Sequence, residues 1–101
     1  MTNNITNIDA LISKRHRCTK AESPILFFHS WNASGKIEYQ GYIYYLKKDG
    51  TGMAQLFEWW MGYKGDTMAF TKAFLERCTF YDTDIEMNAA YAKAKREGRA
   101  G

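Results

Sequence analysis

Two periods organise the hydrophobic positions. Ile8, Leu11 and Ile12 recur at i, i+3, i+4, the spacing of one helix face, within a stretch running from Asn7 to Arg17. This predicts a short basic N-terminal helix, placed within residues 8–20, after a polar, frayed start over residues 1–7. Pro24 pushes Ser23 into an extended conformation and stops any helix before it.

The pattern then changes to that of strands. Residues 25–31 read as a first strand, and the turn chemistry of Asn32-Ala33-Ser34-Gly35 leads into a second over residues 36–46. Strict alternation along the second places Ile37, Tyr39, Gly41, Ile43 and Tyr45 on one face. Lys36, Glu38, Gln40, Tyr42, Tyr44 and Leu46 then share the other. Gly41, in mid-strand, marks a bulge or bend. Asp49-Gly50 signals a hairpin into a third strand over residues 53–61. A fourth strand over 66–70, a helical turn over 71–76 and a fifth strand over 77–81 come next. The helical period returns over residues 84–97. Thr83 and Glu86 have the spacing of a capping box, Met87, Ala90, Tyr91 and Ala94 form one apolar stripe, and Gly98 can close the helix.

Five short strands with helices at both ends predict a mainly β, single domain over residues 1–101, with its β core at 25–81. The expected form is a small, strongly bent five-stranded antiparallel sheet or an SH3-like barrel, with a C-terminal α-helix and a short N-terminal one. The competing form is α+β, an open antiparallel sheet covered by helix. Closure has the merit of removing sheet edges.

Composition adds an aromatic surplus: three Trp, seven Tyr and six Phe in 101 residues. Apolar and aromatic side chains occupy both faces of the strands, including Leu56, Phe57, Trp59, Trp60 and Met61. A sheet with one wet face should alternate more cleanly. One face therefore meets the core, and a terminal helix or a partner covers the other. Exposed Trp and Tyr are typical interface anchors. The candidate contact residues on this reading are Tyr42, Tyr44 and Trp60. Lys47 and Lys48 stand beside them, and the basic cluster Lys14, Arg15 and Arg17 joins the set. The same aromatics with Lys36, Lys47 and Lys48 could instead stack bases and hold phosphates, giving a nucleic-acid-binding small β-barrel as the alternative.

The net charge of +3 lies at the ends, because residues 25–81 carry six basic and five acidic residues. Such basic ends fit solubility, nucleic acid or an acidic protein. Met1 to Asp9 lacks a basic segment followed by an apolar one, and no apolar run approaches membrane-spanning length. The expectation is a cytoplasmic protein with no membrane association, Cys18 and Cys78 both being free thiols.

Catalytic and metal chemistry find little support. His16, Cys18, His29 and Cys78 lack zinc-site spacing, so no metal and no cofactor is expected. Ser23, Ser30 and Ser34 have no nucleophile-elbow context, and Gly50 and Gly52 sit in a turn without a helix after it. His29 lies in an apolar strand, the setting of a structural histidine. A non-enzymatic role is the expectation, with a homodimer among the states left open.

Four segments carry a resemblance: Phe27-Phe28-His29-Ser30-Trp31, Gly35 to Gly41, Gln55 to Gly62, and Phe80-Tyr81-Asp82. Over residues 25–91 the chain resembles small accessory proteins of bacterial phages, plasmids and integrative elements. The resemblance implies a bacterial or phage source. It also implies an accessory role, such as inhibition of a host defence by binding a host protein, as anti-CRISPR proteins do. It brings no assigned functional residues.

Overall fold

The computed structural model describes residues 7–19, 23–58 and 64–100. The elements are α1 (Ile8–Arg15), β1 (Leu26–Trp31), β2 (Ile37–Leu46), β3 (Gly52–Phe57), β4 (Lys64–Phe70), α2 (Lys72–Leu75), β5 (Cys78–Tyr81) and α3 (Asp84–Arg96). The strands form one antiparallel sheet in the order β4-β3-β2-β1-β5. The first four make a meander, and α2 then carries the chain from the β4 edge to β1, where β5 pairs. The mainly β class stands as expected, in the open form, without barrel closure. A physical reason is that helices already cover both apolar faces, so closure is not needed to bury them. The edges are blunted in another way: β5 has only four residues, and β4 carries Lys64 and Asp66 and a register shift against β3.

One face holds the main core. Leu26, Phe28, Ile43, Leu46, Ala54, Phe70 and Phe80 pack with Ile8, Leu11 and Ile12 of α1 and Phe74 and Leu75 of α2. Phe74 bridges the layer, edge-on to Phe28 with ring centroids 5.7 Å apart and stacked on Phe70 at 5.9 Å. The N-terminal helix is shorter than expected. Asn7 caps it by accepting from the Ala10 N–H, and it ends at Arg15. Arg17 then leaves the helical path and bridges Leu46, its N–H donating to the Leu46 carbonyl at 2.8 Å.

Strict alternation along β2 fails at two places. Trp31 pairs with Ile37 while Ser30 pairs with Tyr39, so Glu38 is an extra residue; Tyr44 is extra between the Ile43–Ala54 and Tyr45–Met53 pairs. Each bulge switches the faces beyond it. Leu46 consequently joins Ile43 in the main core rather than sharing the face of Tyr42. Gly41 marks a close approach rather than a bulge: a Cβ there would lie 1.9 Å from the Gln55 carbonyl oxygen of β3.

The second face is covered by α3. The Thr83 hydroxyl accepts from the Glu86 N–H at 3.1 Å and contacts the Glu86 carboxylate at the same distance, so the expected cap forms. At the other end Gly98 adopts φ 75°. The Arg99 N–H reaches the Ala94 carbonyl at 2.8 Å and the Gly98 N–H reaches Lys95 at 3.1 Å, a Schellman closure. The Arg99 carbonyl in turn accepts from the Ile37 N–H at 2.8 Å, tying the helix end to β2. Met87 and Ala94 are buried on this face, outside the main core cluster.

Candidate functional site

The second face is where polar chemistry and open space meet. α3 lies against β1 and β5. Beneath it His29 is fully buried. Its Nε2 lies 3.1 Å from Gln40 Oε1 and its Nδ1 lies 3.0 Å from the Tyr81 hydroxyl. The Gln40 oxygen can only accept, so Nε2 carries the proton and Nδ1 accepts from Tyr81. Burial holds His29 neutral, lowering its pKa from 6.5 to about 4. Burial likewise pushes the Tyr81 hydroxyl up to about 12. Trp31 and Tyr81 stand edge-on to the imidazole, at 6.2 and 5.1 Å, and Tyr91 of α3 tilts over it at 6.4 Å. With no exposed surface, His29 joins β1, β2 and β5 rather than meeting a ligand.

Beside this network the sheet continues past the helix. Phe27, Tyr42 and Phe57 form a contiguous aromatic cluster across β1, β2 and β3, with centroids 5.8 Å apart for Phe27–Tyr42 and 5.7 Å for Tyr42–Phe57. Between this cluster and the first half of α3 lies a groove of about 260 Å³. Phe27, Phe57, Met87 and Tyr91 give it apolar walls. Gln40, Glu58, Asp84 and Asn88 give it polar groups, two of them carboxylates. Ile85, one turn before Asn88 on α3, is 77% exposed. A second recess, of about 590 Å³, lies on the opposite flank of α3 beside Trp31, Thr79 and Tyr81.

The expected contact residues are scattered. Tyr42 is buried as the hub of the aromatic cluster, under the Lys64 ammonium at 5.8 Å from its ring, and so is not a free anchor. Tyr44 is half-buried at the bulge, its ring 6.5 Å from Tyr42. Trp60, with Trp59, lies outside the described residues. Lys47 and Lys48 are exposed in the β2–β3 turn. Lys14 is exposed on α1, on the other face of the sheet. Arg15 is paired with Asp82 at 2.8 Å. Arg17 is a structural clamp: its guanidinium donates to the Tyr44 carbonyl at 2.9 Å and to the Ser23 hydroxyl at 3.1 Å, and also reaches the Ser23 carbonyl. The basic cluster and the aromatic face therefore do not form one surface.

The groove residues Phe27, Phe57, Met87 and Tyr91 were visible in the sequence only as strand aromatics and a helix stripe. Their meeting depends on which part of the second face α3 covers, which no local pattern states. Cys78 is half-buried, its thiol directed at the Phe74 carbonyl at 3.3 Å and pushed up to about 12 by burial. It is a poor nucleophile in that state. Among the described residues, no group of three or more His, Cys, Asp and Glu side chains is placed to hold a metal ion, and no helix is long and apolar enough to cross a membrane. Comparison with family models, curated proteins and solved structures gives no match.

Proposed function

We propose that this chain is a non-enzymatic protein-binding module whose contact surface is the groove between α3 and the Phe27–Tyr42–Phe57 cluster. The observation that carries the reading is the pairing of apolar walls with carboxylates at Glu58 and Asp84, next to the exposed Ile85. Apolar pockets with a charged rim are how protein interfaces place an anchor and then orient it. The partner segment that fits presents an apolar side chain flanked by cationic residues. The resemblance to accessory proteins of mobile elements supports a partner in a bacterial host, with inhibition of a defence protein as the biological role.

The test is affinity capture from bacterial lysate, with nuclease present and absent, using the native chain and an Ile85→Asp/Asn88→Arg variant. Both positions are exposed, so circular dichroism of the variant should match that of the native chain. The reading expects one protein retained with and without nuclease by the native chain and lost by the variant. Equal retention by both would remove the groove from the account.

A further inference from the structure

The opposite end of the sheet carries a different surface, independent of the groove. We propose that the Trp31 end of the sheet binds single-stranded nucleic acid, with Trp31 and Arg99 as a stacking platform and the last turn of α3 as the phosphate-binding flank.

The platform is preorganised. The Trp31 indole N–H donates to the Thr79 hydroxyl at 2.9 Å, which fixes the ring. The Arg99 guanidinium sits over that ring, 5.3 Å from its centroid, and is held from the side by Glu97. The Arg99 backbone is fastened to Ile37, so this stack is anchored to β2 as well as to the helix. A guanidinium lying on an indole still offers its outer face, and the Arg99 side chain remains half exposed. Nucleobases stack on such planes whatever their identity.

Beside the platform is the 590 Å³ recess, large enough for an unstacked base and its sugar. Ala89 and Ala90 keep its helix wall low, and Lys93 stands at its rim. Charge converges here as well. The Lys36 carbonyl closes the turn at Asn32, which sets Lys36 beside Trp31 in the chain. Lys36, Lys93, Lys95, Arg96 and Arg99 are all exposed at this end, while the Arg77 guanidinium lies over Phe74 on the other face of the sheet. Only Arg99 of these five is in an ion pair among the described residues. The opposing carboxylates are Glu38, Glu86 and Glu97. An acidic protein could use the cations, but it would leave the stacked indole and the recess without a purpose. A duplex keeps its bases inside the stack and would not fill the recess.

The experiment is fluorescence anisotropy with fluorescein-labelled dT12 and the full chain. Binding should weaken about tenfold or more between 50 and 200 mM salt, the loss set by release of counterions from about three phosphates. A Lys93→Glu/Arg96→Glu variant should lose at least tenfold in affinity, while Lys47→Glu/Lys48→Glu, at the other end of the sheet, should bind as the native chain does. Trp31→Phe should retain binding, and Trp31→Leu, once its fold is verified by circular dichroism, should lose about tenfold, the scale of one base–aromatic stack. No binding to dT12 at micromolar protein would overturn the proposal. So would equal losses from the two charge variants, equal affinity for a 12-base-pair duplex, or binding indifferent to Trp31→Leu.

Discussion

Acidification should destabilise this protein through His29, and the size of the effect can be worked out. The imidazole has no exposed surface and is held neutral, with its pKa near 4 against 6.5 when unburied. Between those values the unfolded chain takes up a proton that the folded chain refuses. Stability therefore falls as pH drops below about 6.5, and the loss is complete near 4, with a limiting slope of about 1.4 kcal/mol per pH unit. Over the whole window this amounts to about 3 kcal/mol, a large part of the 5–15 kcal/mol typical of a small domain. The assay is urea unfolding followed by Trp fluorescence at intervals from pH 7.5 to 4.5, for the native chain and His29→Phe. The variant forfeits two hydrogen bonds and should be less stable at pH 7, but it lacks the proton site. Its curve should run flatter than the native one across this window, the two converging as pH falls. Parallel curves would mean that His29 is solvated and titrates normally, and would refute the buried network.

Other expectations concern the elements that position the second face. Gly41→Ala places a methyl against the Gln55 carbonyl; it should destabilise by about 2 kcal/mol or more and broaden the amide signals of β2 and β3 in NMR spectra. Thr83→Ala removes the cap of α3 and should cost about 1 kcal/mol in urea unfolding, with Thr83→Ser recovering most of it. Phe74→Ala opens a cavity between Phe28 and Phe70 and should cost about 3–5 kcal/mol in the same assay.

The strands and α3 were legible because their signals are local. Alternation, turn residues and the Thr83–Glu86 spacing each act within a few positions. The residues that bend β2 were not legible. The bulges at Glu38 and Tyr44 arise from pairing with β1 and β3, and each reverses inside and outside for the residues beyond it. That is why Leu46 is core, whereas Tyr42, read as an exposed anchor, keeps the face of Gln40 and is buried there among Phe27, Phe57 and Lys64. The clamp made by Arg17 was hidden for a similar reason: two of its three acceptors are backbone carbonyls, which every residue has. His29 was readable as structural from its apolar strand. Its partner Tyr81 lies 52 residues away, and no local pattern announces it. Trp31 passed as one aromatic among many until the end of α3 brought Arg99 over its ring.

The most direct test of the central claim is site-specific photo-crosslinking in bacterial cells. A benzophenone side chain would replace Asn88 in the groove and, as a control, Ala73 on the opposite face. The account predicts one dominant protein adduct from position 88 and none from position 73. No adduct from position 88, or the same adducts from both, would contradict a partner seated in the groove.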